Sequence, residues 1–392
     1  MQLDLPTPAP DALAHSDLLA ERLREVIRAA GGWISFADFM QQILYMPGYG
    51  YYSAGALKFG EGGDFVTAPE ISPLFSQCVA GQIAQVLRAS GGGTVLEPGA
   101  GTGVMAADVL LELQRLDALP DNYLILEQSA DLRERQRQMI RDKAPHLEER
   151  VRWLDGAPNE PFNGVLIANE VIDALPVERF TIRKGVPHSL GVTCDSDAFV
   201  WAPRPAGVHL EMQVGALQSS LGRAFPEGYT SEICLQLPAW LNAVAGWLDR
   251  GVALFLDYGF PRSEYYLDER NSGTLRCFYR HRAHEDPFLW PGLQDVTAWV
   301  DFSWLAQAAE EAGFEIGGFT TQANFLLAAG IEERVSMPAD DPRRQIELAR
   351  GLRQLLLPGE MGEAIKVAAL CRGGASAPDA MFGRDMRARL FS

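Results

Sequence analysis

The sequence predicts an α/β fold: a mostly parallel sheet with helices on both faces, an N-terminal helical cover and an inserted subdomain. Three observations point there. From Thr94 onward, short apolar segments alternate with helical periodicities, the pattern of strands joined by crossover helices. Gly99, Gly101 and Gly103 fall where the first such segment turns into the first such helix. Val252-Ala253-Leu254-Phe255-Leu256 is an uninterrupted apolar run, suited to a strand buried on both faces.

Size and composition set the bounds. A chain of 392 residues has room for two or three domains at roughly 150 residues each. With 47% hydrophobic and 22% charged residues, a disordered chain, a collagen or a coiled coil is excluded. The net charge of −17 argues against non-specific adhesion to nucleic acid or an anionic membrane, and it allows a cationic partner. Five cysteines without a C-x-x-C pair suit a reducing compartment. No apolar run approaches the length of a membrane span. The first basic residue, Arg22, follows Asp4, Asp11, Asp17 and Glu21, unlike a targeting peptide, so the expected location is cytoplasmic.

The elements follow in order. Residues 1–16, with Pro6, Pro8 and Pro10, read as a loose arm, and 17–93 as the helical cover. Within the cover, helical spacing starts near Ser16, a second helix spans 36–45, and a third runs from Ser72 or Pro73 to a stop at Gly91-Gly92-Gly93. Between them, residues 48–65 are too glycine-rich for a helix and too aromatic for a passive linker. The first part of the sheet domain, 94–176, carries strands at 94–97, 123–127, 151–154 and 164–168, with helices at 103–116 and 130–143. The alternating charges of 131–143 read as a solvated helix face. Residues 177–250 form the insertion, with hairpins over 177–200 and a helix over 232–248. The second part, 251–373, holds the 252–256 strand, an irregular stretch at 259–299, a helix at 303–312 and strands at 314–319 and 365–371; 374–392 is a tail.

The glycine loop constrains the cofactor. A dinucleotide fingerprint requires G-x-G-x-x-G, but the sixth position from Gly99 is Val104; no Lys-Ser or Lys-Thr completes a phosphate-binding loop either. Glu97 followed by G-x-G-x-G resembles motif I of class I S-adenosylmethionine-dependent methyltransferases, which have a Rossmann-like sheet. In that resemblance Gly99, Gly101 and Gly103 pass the methionine part of the cofactor, and Glu97 suits its ammonium. Glu127, 24 positions beyond Gly103, can accept hydrogen bonds from both ribose hydroxyls; NAD enzymes use the same device, so it supports a ribose without choosing between cofactors. Asp155, ending the third strand, fits an adenine amine, although Asp-Gly is also an ordinary turn.

The fourth strand leads into Ala168-Asn169-Glu170-Val171-Ile172-Asp173-Ala174-Leu175-Pro176. Together with Gly63-Asp64-Phe65-Val66-Thr67-Ala68-Pro69-Glu70-Ile71-Ser72 and Asp257-Tyr258-Gly259, this string resembles the MidA-like family of methyltransferases. Some eukaryotic members of that family are mitochondrial protein arginine methyltransferases that assist complex I assembly. The resemblance implies that 63–72 lies over the cofactor site, with Thr67 toward the cofactor and Asp64 and Glu70 toward the substrate. It also implies that Asn169, on the cofactor side, borders the transfer site with Glu170 and Asp173.

Methyl transfer from a sulfonium needs positioning and exclusion of water rather than a covalent intermediate. A protonated guanidinium acceptor adds a need for carboxylates that orient it and help a proton leave. Glu170, Asp173 and Asp257 are the expected catalytic acids, with Glu232 a further substrate-binding candidate; Tyr51, Tyr52 and Tyr258 would wall the cleft. Cys277, His281 and His284 read as loop residues, and no metal is expected. The expected activity is S-adenosylmethionine-dependent methylation of a protein side chain, most plausibly arginine. Alternatives are a cofactor-binding assembly protein that transfers nothing, or a small-molecule methyltransferase.

Overall fold

The larger sheet is built from β1 (Thr94–Pro98), β2 (Asn122–Leu126), β3 (Val151–Leu154), β4 (Phe162–Asn169), β5 (Leu248–Phe260), β6 (Glu315–Thr321) and β7 (Ile365–Arg372). They lie side by side in the order β6-β7-β5-β4-β1-β2-β3, and a two-residue strand, Val300–Asp301, also pairs with β5. Neighbours are parallel except at β7, which runs antiparallel to both β5 and β6. The structure is a computed structural model that describes residues 5–53, 67–335 and 342–392. The chain forms two compact units, and this sheet belongs to the one made of Val66–Ile172, Pro238–Phe260 and Val300–Ser392.

Helices α1 (Pro73–Ser90), α2 (Val104–Arg115) and α3 (Ala130–Lys143) belong to the same unit. The Ser72 side chain caps the start of α1 by accepting from Leu74 N, and Gly91, in the left-handed region, ends it. Phe75, Val79 and Ile83 of α1 and Ala106, Val109 and Leu110 of α2 share one apolar core with Val95, Ile125, Val165, Ile167, Val252 and Leu254 of the strands. Strands buried in this way read as continuous apolar runs, which is why β4 and β5 were legible. Strand order reverses at β1, between β4 and β2, and the carboxyl ends there form the crevice where α/β sheets take ligands.

Two sequence expectations change in this unit. Helix α3 is not simply a solvated face: Leu132, Gln136 and Ile140, four residues apart, form a buried stripe hidden among its charges. The segment read as a tail packs instead: Met381 and Phe382 are buried in the core, and Met386 N donates to Phe319 O (2.7 Å).

The second unit comprises Met1–Phe65, Asp173–Leu237 and Pro261–Trp299. Its first helix, Pro10–Ala29, starts inside the stretch read as a loose arm, because Pro10 sits at the first helical position, where its missing N–H costs nothing. The helix Phe36–Tyr45 keeps the bounds read from sequence, and Ser35 caps it by accepting from Asp38 N. Strands Glu178–Arg183, Val186–Asp195, Ala198–Pro205 and Thr230–Ile233 form an antiparallel sheet. The expected helix from residue 232 is therefore corrected: Thr230–Ile233 is a strand paired with Glu178–Arg183, and a helix begins only at Leu237. Helix Val208–Leu221 was not anticipated. The stretch read as irregular contains strands Arg276–Tyr279, Arg282–His284 and Asp295–Thr297, too short to show a period. This unit's own core joins Leu19, Leu23 and Phe39 to Val192, Cys277 and Val296. Among the described residues, no helix is long and apolar enough to cross a membrane.

Candidate active site

At the carboxyl end of β1 the chain turns through Gly99, Gly101 and Gly103, all with positive φ (65°, 54° and 84°), a conformation that side chains resist. A Cβ on Gly103 would also lie 3.0 Å from the Gln136 Cα, so the loop and α3 pack backbone to backbone. Gln136 has no exposed surface. Its Nε2 donates to Gly101 O (3.0 Å) and to a carboxylate oxygen of Glu127 (3.2 Å), and its Oε1 accepts from the Trp153 indole (3.0 Å). One amide thus ties the loop to the ends of β2 and β3. The sequence reading missed Gln136; the i, i+4, i+8 stripe in α3 was the signal that could have found it.

Glu127 is also fixed by Ser129 N, which donates to its other oxygen (2.8 Å), and its own N–H continues the ladder to Leu154 O (3.0 Å). Its carboxylate is held in one orientation at the crevice. Glu97 is almost fully buried and accepts from the Tyr123 hydroxyl; burial pushes its carboxyl up to about 7 despite that bond. Thr102 donates to Glu70 (3.1 Å), which places Glu70, expected on the substrate side, against the glycine loop itself. Thr67 stands at the start of the short helix Ala68–Ile71 that carries Glu70. Asp155 is exposed just beyond β3.

At the end of β4, Asn169 is followed by Glu170 at φ +52°, a left-handed conformation uncommon for a non-glycine residue. The neighbouring strand holds this turn: Glu170 N donates to Leu256 O (2.8 Å), and Asp257 Oδ2 accepts from Val171 N (3.1 Å) and Ile172 N (2.8 Å). Asp257 Oδ1 accepts from Tyr258 N (2.9 Å). Asp257, expected among the catalytic acids, is buried with both oxygens committed to backbone donors, so it positions the turn that presents Glu170. The Val171 side chain reaches within 3.5 Å of a Cβ built on Gly99, so the β4 turn and the glycine loop are neighbours.

Other expected site residues fall in the second unit. Asp173 is buried there, and Ala298 N donates to its backbone oxygen (3.0 Å). Tyr52 donates to Asp295 (2.9 Å). Glu232, expected on the substrate side, is buried; its Oε2 accepts from Thr274 N (2.8 Å), and its Oε1 forms an ion pair with Arg179 Nε at 3.2 Å. Asp64 lies outside the described residues. Cys277 and His284, read as loop residues, are ladder partners on adjacent strands, and no metal-holding group occurs among the described residues.

One buried acceptor at this turn is unpaired among the described residues. Asn169 Oδ1 is buried and accepts no hydrogen bond among the described residues, while its Nδ2 donates to Glu170 (3.3 Å). A buried acceptor in that state has room for a donor from a ligand or a water. Residues 78–320 match a family described as "Putative S-adenosyl-L-methionine-dependent methyltransferase". The chain belongs to this family, the MidA-like methyltransferases. A crystal structure from Burkholderia thailandensis with S-adenosyl-homocysteine bound is similar to this methyltransferase at 46% identity and a TM-score of 0.93, spanning 98% of this chain and 99% of that one. Among curated relatives, protein arginine methyltransferase NDUFAF7, mitochondrial, of Rattus norvegicus is 28% identical, covering 91% of this chain and 85% of that protein. The Drosophila melanogaster homolog of that enzyme is 29% identical over 95% of this chain and 90% of its own length. The cofactor of this methyltransferase is S-adenosylmethionine.

Proposed function

We propose that this methyltransferase modifies arginine side chains of a protein substrate, in the cytoplasm. The carrying observation is the strand-end carboxylate Glu170, held in a left-handed turn by Asp257 and Leu256. The names of the curated relatives support the same acceptor.

In this proposal Glu127 takes the ribose, the glycine loop passes the methionine chain, Glu97 and Asn169 face its polar end, and Asp155 takes the adenine. When bound, the cofactor supplies a methyl group on a positively charged sulfur. Glu170 orients the acceptor guanidinium and concentrates its charge away from the attacking nitrogen. As the new N–C bond forms and the C–S bond breaks, that nitrogen becomes more acidic, and its proton passes to Glu170 and then to water. Asp257 acts through the turn, because removing it frees the N–H groups of Val171 and Ile172.

Labelled methyl transfer into a host lysate, followed by acid hydrolysis and separation of methylated amino acids, tests this. Methylarginine that disappears with Glu170→Gln is the expected outcome. Label confined to other residues or to the low-mass fraction, or cofactor binding with no transfer, overturns it.

A further inference from the structure

β7 enters the larger sheet against the direction of β5, so its first residues lie level with the carboxyl end of β5. There Lys366 is the register partner of Asp257 on one side and of Thr321 of β6 on the other. Register partners on antiparallel strands share a face of the sheet, with Cβ atoms roughly 5 Å apart. Two residues further along, the same face is apolar. Phe255, Ala368 and Phe319 lie side by side across β5, β7 and β6; the Trp240 ring meets Phe255 (centroids 5.8 Å apart), and Phe302 meets Phe319 (5.3 Å). Lys366 and Asp257 thus stand together at the polar end of a hydrophobic layer, and both are almost fully buried. The Lys366 ammonium is anchored: Nζ donates to Glu363 O and to Ala364 O (3.4 Å), the last carbonyls of the short helix Met361–Ala364, and lies 4.9 Å from the centre of the Phe260 ring.

From this placement we infer that Lys366 is a positioning residue for methyl transfer: its charge keeps Asp257 ionised, and ionised Asp257 holds the left-handed turn that presents Glu170. The inference rests on the role proposed for Glu170. Carbonyl dipoles and a π face solvate a cation without neutralising it, and a buried ammonium is stable beside an opposite charge. The register brings the Asp257 carboxylate to its face, and that carboxylate accepts from Val171 N, Ile172 N and Tyr258 N. A neighbouring ammonium favours the charged form of a carboxylate, whereas burial favours the protonated form. Protonated, Asp257 would become a donor at one oxygen and a weaker acceptor for the three backbone N–H groups. Other ionisable groups border the place: Glu170 after β4, Tyr258 in β5, the exposed Glu363 and Asp301. Asp301 pairs in register with Phe260 and caps the helix Phe302–Glu311 by accepting from Ser303 N and Trp304 N. It is the competing counter-charge for the ammonium, and an asparagine at 301 separates the two while keeping a capping side chain.

The test measures single-turnover methyl transfer by the full-length enzyme into host lysate protein at saturating S-adenosylmethionine, as a function of pH. Lys366→Met keeps the length of the side chain and removes its charge. Relative to wild type at the same pH, it is expected to lower the rate about tenfold near pH 6 and by less than about threefold near pH 9, because alkali ionises Asp257 without help. Affinity for S-adenosyl-homocysteine should stay within about twofold. In an Asp257→Asn background the same substitution should change the rate by no more than about twofold, since the charge it serves is gone; in an Asp301→Asn background its full effect should remain. A deficit that ignores pH, one that persists in Asp257→Asn, one that vanishes in Asp301→Asn, or a wild-type rate in Lys366→Met overturns the inference. Where Lys366→Met unfolds, urea unfolding decides: adding Asp257→Asn should restore stability, and failure to restore it overturns the inference. If Glu170→Gln transfers at the wild-type rate, the reading of Glu170 falls and takes this inference with it. If Glu170→Gln is inactive while Lys366→Met shows no pH-dependent deficit, this inference alone falls.

Discussion

The Tyr123 hydroxyl donates to the Glu97 carboxylate between β1 and β2, and both side chains are buried beneath the glycine loop's strand. The hydrogen bond favours the charged carboxylate while burial opposes it, and burial wins, placing Glu97 at about 7. In the proposed cofactor site, the ammonium beside Glu97 would shift this balance toward the charged form.

The pH dependence follows with a definite sign. The folded protein without cofactor holds the extra proton between the ordinary carboxyl value of 4.5 and about 7, so this group's contribution to stability falls as pH rises through that window and is level above it. On the proposed binding mode, the ammonium of the cofactor product favours the opposite form and expels the proton. Affinity for S-adenosyl-homocysteine should rise by up to about tenfold per pH unit, then flatten near pH 7. Calorimetry in two buffers of different ionisation enthalpy reads the released proton. Tyr123→Phe removes the hydrogen bond and should move the break to higher pH; an unmoved break would argue that another group titrates.

Gln136 should matter to both stability and binding. Gln136→Leu leaves the Trp153 indole, the Gly101 carbonyl and one Glu127 oxygen without this partner. At roughly 1–3 kcal/mol per unsatisfied buried group, with partial relaxation, urea unfolding should show a loss of about 2–4 kcal/mol. Affinity for S-adenosyl-homocysteine should fall together with it. Loss of stability at full affinity would mean that the loop and Glu127 are held by other contacts.

Glu170 and Asp257 should separate chemistry from binding. Glu170→Gln is expected to keep S-adenosyl-homocysteine affinity within about twofold and to lower transfer on the order of 100-fold. Glu170→Gly suits the positive φ, so it should unfold no more readily than wild type while losing transfer equally. Asp257→Asn, a poorer acceptor for Val171 N and Ile172 N, should lower kcat by about tenfold without a matching change in cofactor affinity. Single-turnover measurements at saturating cofactor would show these differences.

The Arg179–Glu232 pair predicts the reverse pattern. Glu232 is buried, with its carboxyl pushed up by that burial, and removing the guanidinium leaves a charge stranded. Arg179→Met should cost about 3–5 kcal/mol in urea unfolding, and Arg179→Met with Glu232→Leu should recover much of it. Transfer per folded molecule should stay near wild type. A change in the half-saturating acceptor concentration would instead support the expected substrate-side role of Glu232.

The parallel sheet was legible because its strands are buried on both faces, which writes long apolar runs such as 252–256 into the chain. The glycine loop was legible because three positive-φ positions at one turn demand glycine. The short strands of 276–297 were not: runs of three or four residues carry no measurable period, and pairing with partners distant in sequence decides them. Gln136 was hidden for a related reason, since a single buried amide among charges looks like surface until its three partners are seen.

By itself, then, the sequence determined the sheet class, the glycine loop that ends β1 and the carboxylate that follows β4, because these depend on local backbone demands and on burial patterns along one strand or helix. The tertiary structure decided which donors each carboxylate meets. Asp257 and Glu232 are chemically similar in the chain, but partners up to 86 residues away separate them: backbone amides donate to Asp257, whereas Thr274 N donates to Glu232 and Arg179 pairs with it as an ion. A carboxylate's role depends on which donors fill its lone pairs, and that filling is a long-range property of the fold.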